Sequence, residues 1–180
     1  HRNRFDYPVV GVTGSNGKTI VKEWIYHLLE SRYHMVRSPK SYNSQVGVPL
    51  SVWNMGEDND LAVFEAGISQ LHEMTRLENI IQPTIGIFTN IGEAHQENFR
   101  DFHQKILEKL NLFEETGTLI YCRDQEAVHK QIIHHELLKD KRLITWSVEG
   151  GADLNILDTE VKGGETAITA AAAQAQAQVN

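Results

Sequence analysis

The residues Pro8 to Thr19, PVVGVTGSNGKT, constrain this chain more than any other stretch. Val9, Val10 and Val12 form a short β-rich run, which Gly11, Gly14 and Gly17 interrupt before Lys18 and Thr19. Ile20, Val21, Trp24, Ile25, Leu28 and Leu29 then recur at helical spacing. The stretch reads as buried strand, glycine loop and helix N-terminus. Such a junction aims backbone N–H groups and the positive end of a helix dipole at one spot, which suits phosphate. Lys18 supplies a cation for β/γ-phosphates and Thr19 a hydroxyl for Mg²⁺. The usual G-x-x-x-x-G-K-[ST] spacing is not met, because Val12 stands five residues before Gly17. What stands here is the shorter G-x-x-G-K-T, Gly14 to Thr19. The plain alternative is a glycine turn with a surface lysine.

The rest of the chain repeats the strand–helix alternation. Strands are predicted at Tyr33–Arg37, Leu61–Phe64, Thr84–Thr89, Thr118–Tyr121 and Leu143–Trp146. Helices are predicted near Pro49 and over Leu71–Ile81, Phe102–Phe113 and Gln125–Leu138. The strands are solid apolar runs, which predicts an α/β fold with a mostly parallel sheet covered on both faces. From Gly151 the helical period stops, and DLNILDTEVKGGETAIT reads as a β-hairpin with Gly163-Gly164 at its turn. The formal charge of −7 argues against nucleic acid as a main partner. No apolar run approaches the ~20 residues of a membrane span. A single cysteine, Cys122, cannot form an internal disulfide, which fits a reducing, cytoplasmic setting. Residues 1–7 begin without methionine and read as a linker from a preceding domain. Residues 8–169 read as the domain itself. Ala170 to Asn180, AAAAQAQAQVN, reads as a low-complexity tail: a linker, vector-derived residues or poorly determined sequence.

In open parallel sheets, ligands bind beyond the carboxyl ends of the strands. Three predicted strand ends carry candidate groups there. One leads into the glycine loop. Another ends in Glu65, and a third runs IGIFTN into IGEAHQENF, bringing Asn90, Glu93, His95 and Glu97 to the same edge. Thr19, Glu65 and His95 would offer a hydroxyl, a carboxylate and an imidazole around a Mg²⁺-nucleotide, mostly the hard ligands that Mg²⁺ prefers. Glu65 equally suits a cap or surface carboxylate, and His95 an ordinary loop histidine. On the predicted helix 102–113, Phe102, Ile106, Leu110 and Phe113 define an apolar face. Lys109 falls on that face, while Glu108 and Asn111 point away. A lysine so placed must snorkel, pair with an acid, or lose its charge. Trp24 and Trp53 read as core or wall residues, and His129, His134 and His135 as surface.

These segments together resemble the central ATPase domain of the Mur ligases, ATP-dependent amide-forming enzymes of peptidoglycan synthesis. The resemblance is carried by TGSNGKT (Thr13–Thr19), YNSQVGVPL (Tyr42–Leu50), EAGIS (Glu65–Ser69), TNIGEAHQENF (Thr89–Phe99) and KILEKLNLF (Lys105–Phe113). It runs from about Tyr7 to Trp146. Within the family the asparagine segment before G-V-P-L and the AH-x-E-x-F motif are most similar to the ligase adding D-Ala-D-Ala to UDP-N-acetylmuramoyl tripeptide. The wording also resembles ligases fused to an alanine racemase. The resemblance implies a P-loop NTPase-like fold, ATP and Mg²⁺ as cofactors, and an acyl-phosphate intermediate.

Residue by residue, it implies that Gly14, Ser15, Asn16, Gly17, Lys18 and Thr19 hold the triphosphate, with Asn90 among the nucleotide-binding residues. Lys18 would stabilise the transferring phosphoryl group. Thr19 and Glu65 match a first Mg²⁺ site, His95 a second, and Lys109 a lysine carried as a carbamate. Asn43 and Ser44 stand where the family often has two asparagines that contact substrate, and Ser44 departs from that pattern. The family also has N- and C-terminal domains that do not fit into 180 residues. Two alternatives stand beside this reading. One is a folylpolyglutamate synthetase-like ligase with the same core. The other is a non-ligase P-loop module, although the D-x-x-G and N-K-x-D of nucleotide switches and the arginine-rich lid of kinases are missing.

Overall fold

The computed structural model describes residues 1–92 and 99–173. In chain order these form β1 (Val9–Thr13), α1 (Lys18–Leu29), β2 (Met35–Arg37), α2 (Gly47–Trp53), β3 (Leu61–Glu65), α3 (Glu73–Ile81) and β4 (Ile85–Phe88). There follow α4 (Phe102–Leu110), β5 (Thr118–Cys122), α5 (Glu126–His134), β6 (Arg142–Ser147), β7 (Leu154–Lys162) and β8 (Glu165–Ala172). The strands make one sheet in the order β2-β3-β1-β4-β5-β6-β7-β8. Every neighbouring pair is parallel except β7 with β8. The predicted α/β class and the terminal hairpin both form. Gly163 and Gly164 take φ of 59° and 84° at its turn, the two positive values that a tight two-residue hairpin turn needs.

Strand alternation divides the interior into two layers. Val10, Val12, Leu61, Val63, Ile85 and Ile87 face α1, where Val21, Ile25 and Leu29 meet them. Val9, Ala62, Phe64, Phe88, Leu119 and Tyr121 face the other way, onto residues of α2 to α5 such as Val48, Leu77, Leu110 and Val128. This second layer is the larger core. It leaves little slack: a Cβ added to Gly86 would lie 2.3 Å from Cδ1 of the fully buried Phe113. β7 joins the sheet only through Trp146↔Leu154 and Ser147↔Asn155, and beyond that the hairpin is exposed. Among the described residues no helix is long and apolar enough to cross a membrane.

Several expectations are corrected. Trp24 and Trp53 are not core residues; they are 63% and 71% exposed. Ile20 and Leu28 join Trp24 on an outward stripe of α1, because six apolar positions are more than its single packed face can take. That face instead accepts a lysine, Lys22, which is completely buried. Helix α4 tightens into a 3-10 turn at Asn111–Phe113, and α5 stops at His134, where His135 turns extended. Glu108 does not point away but is buried, its Oε1 accepting from the Met74 backbone N–H at 3.1 Å near the start of α3. His129 is half-buried, with Nδ1 2.8 Å from the Tyr121 hydroxyl. β8 runs on through Ala170–Ala172.

Candidate functional site

β1 delivers the glycine loop to the carboxyl edge of the sheet, between β3 and β4. At its end the Thr13 hydroxyl donates to the Ala66 carbonyl at 2.8 Å, joining the exits of β1 and β3. The exit of β4 braces the loop from the other side. The Ser15 N–H donates to the Asn90 carbonyl at 2.8 Å, and the Asn16 N–H to Asn90 Oδ1 at 3.0 Å. The Thr89 hydroxyl donates to the Asn16 carbonyl at 2.6 Å. Gly14 has φ of 147°, and a Cβ there would lie 2.0 Å from Thr89 Oγ1, so the loop can pass this close only as glycine. Asn90, expected to touch nucleotide, here spends its side-chain oxygen holding the loop in shape.

Gly17 precedes α1 in a left-handed conformation and gives it no side-chain cap. The first N–H groups of a helix have no intrahelical acceptor, so they remain available to an anion. Lys18 folds back over the loop, donating to the carbonyls of Gly14 at 2.9 Å and Ser15 at 3.2 Å. Burial lowers its pKa, while the nearby Glu65 carboxylate opposes that shift.

Beneath the loop, the Thr19 hydroxyl donates to Glu65 Oε2 at 3.0 Å, and Asn43 Nδ2 to the same oxygen at 3.3 Å. Glu65 is fully buried at the end of β3. Its other oxygen, Oε1, lies 2.9 Å from the ammonium of Lys22 yet receives no directed hydrogen bond. Lys109 is 3% exposed, and its ammonium donates to the Gly14 carbonyl at 3.2 Å. Burial, then repulsion from Lys18 and Lys105, pushes its pKa down to about 7 against the pull of Glu108. Lys105, also buried, donates to the Gly92 carbonyl.

A cavity of about 410 Å³ opens between the loop and the segment leading into α2. Lys18, Lys105 and Lys109 line it, with Asn43, Ser44 and Ser69 among the polar groups opposite. Asn43 is anchored through its carbonyl, which accepts from the Gly67 N–H at 2.7 Å. Ser44 uses its hydroxyl to accept from the Gly47 N–H at 3.2 Å, supporting the first turn of α2. The expected residues Gly14–Thr19, Asn43, Ser44, Glu65, Asn90 and Lys109 thus converge on one edge. His95 lies outside the described residues. Lys22 and Lys105 were missed. Lys22 carries the same signal as Lys109, a lysine at a helix position whose neighbours Val21 and Ile25 pack inward.

The groups present fit a magnesium nucleotide. The glycine loop turns through positive φ at Gly14 and Gly17, packed against Thr89 and Asn90, and Lys18, Lys105 and Lys109 concentrate positive charge in the cavity beside it. A hydroxyl and a carboxylate oxygen 3.0 Å apart are hard donors. Among the described residues no group of three or more His, Cys, Asp or Glu could hold a metal by itself. A sparse donor set is what Mg²⁺ uses when phosphates and waters complete its shell.

Comparison with known proteins agrees with this geometry. A family model described as the Mur ligase middle domain matches residues 12–180. The UDP-N-acetylmuramoyl-tripeptide–D-alanyl-D-alanine ligase of Bacillus subtilis is 37% identical over 120 residues, covering 65% of this chain and 26% of that protein. The MurF ligase of Thermotoga maritima, solved in complex with ADP, superposes with a TM-score of 0.82 at 26% identity, over 94% of this chain and 39% of that one. A mutant FPGS of L. casei superposes with a TM-score of 0.66 at 15% identity, over 93% of this chain and 51% of that one, a likeness of fold alone. The chain therefore spans about a quarter of the Bacillus relative's length.

Proposed function

The chain belongs to the Mur ligase family, as its middle domain, and from that premise we propose that it is the ATP-binding core of a ligase adding D-Ala-D-Ala to UDP-N-acetylmuramoyl tripeptide. The observation that carries the reading is the Thr19–Glu65 pair, one hydroxyl and one buried carboxylate set directly under an anion-binding loop. Support for the substrate comes from the activity that names the Bacillus relative, and for the nucleotide from the ADP bound to the Thermotoga one. The folylpolyglutamate synthetase alternative has only a likeness of fold behind it.

In this reading the loop and the α1 N-terminus bind the triphosphate. Lys18 exchanges the carbonyls of Gly14 and Ser15 for phosphoryl oxygens. Thr19 and Glu65 would hold Mg²⁺, with His95 at a second cation, and bound Mg²⁺ would neutralise phosphate charge. The tripeptide carboxylate takes the γ-phosphoryl group of ATP, releasing ADP and giving an acyl phosphate, and the amine of D-Ala-D-Ala then displaces phosphate and gives up a proton to form the amide. Asn43 and Ser44 border the space a substrate would enter. Lys109, neutral in part near pH 7, is in the form that reacts with CO₂, giving a carbamate and a proton; this would turn a buried cation into a carboxylate-like ligand. The setting is cytoplasmic.

Phosphoryl transfer depends on positioning and electrostatic stabilisation, and in this reading N- and C-terminal domains of the full-length protein position the sugar nucleotide and the amine. Losing that orientation forfeits up to roughly 7–11 kcal/mol. Phosphate release is the assay. We expect the full-length protein to release phosphate only when ATP, Mg²⁺, UDP-linked tripeptide and D-Ala-D-Ala are all supplied, and the 180-residue chain to release little. Release that ignores D-Ala-D-Ala, or ligation by the 180-residue chain at the full-length rate, would contradict the reading.

A further inference from the structure

We propose that Lys22 is a positioning residue for Glu65, a buried cation that ties down one carboxylate oxygen so that the other is presented to the cation site. The proposal rests on the magnesium-nucleotide reading above. Lys22 reaches four oxygens from inside α1. Its ammonium lies 2.9 Å from Glu65 Oε1 and 3.0 Å from Glu23 Oε1, and donates to the carbonyls of Ser38, at 2.8 Å, and Lys40. It therefore joins α1, the end of β3 and the loop after β2 at one point.

The two oxygens of Glu65 are divided between different tasks. Oε1 meets only the Lys22 charge among the described residues, whereas Oε2 takes both the Thr19 hydroxyl and the Asn43 amide. A carboxylate held in this way offers one oxygen to a metal, in a fixed direction. The hold extends outward. Glu23 also accepts from Arg37 Nε at 3.1 Å, and the Arg37 guanidinium lies 3.4 Å from the centroid of the Tyr26 ring. A buried ion pair adds little net stability compared with apolar residues of similar size. Three charged side chains in a row, leading from the surface to the one carboxylate under the loop, make better sense as a means of aiming it.

Calorimetric titration of ADP, with and without Mg²⁺, tests this on the 180-residue chain and on Lys22→Met, Glu65→Gln and the double variant. The quantity read is the gain in affinity that Mg²⁺ brings. We expect Lys22→Met to lose about tenfold or more of that gain, while its metal-free ADP affinity stays within about twofold. The double variant should lose no more than Glu65→Gln alone, since both changes act on one carboxylate. A merely structural role would weaken binding equally with and without Mg²⁺, and that result, a retained gain, or additive losses would overturn the proposal. A wild-type chain with no Mg²⁺-dependent gain would overturn the metal reading and this proposal together. If Lys22→Met alone fails to fold, melting curves decide. The double variant should then recover the fold, because no uncompensated carboxylate remains, and a double variant no more stable than the single one would refute the coupling.

Discussion

Lys109 hydrogen-bonds to a backbone carbonyl while 3% exposed, so of the three fates open to a lysine on an apolar face it takes the one that weakens its charge. Its pKa falls to about 7 in the folded chain from 10.5. The unfolded chain therefore holds a proton that the folded chain gives up between those values, and stability must rise with pH across that window. Below about pH 7 both states are protonated and the penalty is complete. In CO₂-free buffer we expect Lys109→Met to gain melting temperature relative to wild type near pH 6.5 and to lose that relative gain by pH 9.5. A difference that does not move with pH would mean that Lys109 keeps its charge throughout.

The strands and helices follow from apolar periodicity, and their common edge follows from the parallel order. This is why the glycine loop, Glu65 and Asn90 could be placed at one site from spacing alone. Partners across elements were not legible. Nothing in ILEKL says that Glu108 turns back to bond the Met74 N–H of another helix, and nothing in KTIVKEW says that Lys22 replaces Trp24 on the packed side. Such choices depend on what lies opposite, which a local pattern does not contain. The glycines show the same division. Gly14 was legible as a loop residue, whereas Gly86 in β4 is fixed by the ring of Phe113, 27 residues away in sequence but in contact in space. We expect Gly86→Ala to cost about 1–3 kcal/mol by overpacking, read as a lower denaturant midpoint, with ADP affinity kept. An unchanged midpoint would mean that the second core layer is looser than its contacts imply.

The molecule as a whole is anionic, with a formal charge of −7, yet three buried or half-buried lysines line the cavity beside the glycine loop. At physiological salt the distant charges are screened beyond about 8 Å, so a polyphosphate entering the cavity is governed by these cations and the loop N–H groups. The sheet carries this arrangement on three adjacent strands, β3, β1 and β4, and β5 and β6 extend the same frame to the exposed hairpin. Phosphate recognition by the loop is the claim on which the rest depends. Calorimetric titration of Mg-ATP into the wild-type chain and Lys18→Ala tests it directly. Removing a charge-assisted contact of roughly 1.5–3 kcal/mol should weaken binding by about tenfold or more in a variant that remains folded. Equal affinity in the two proteins would contradict the phosphate-loop assignment.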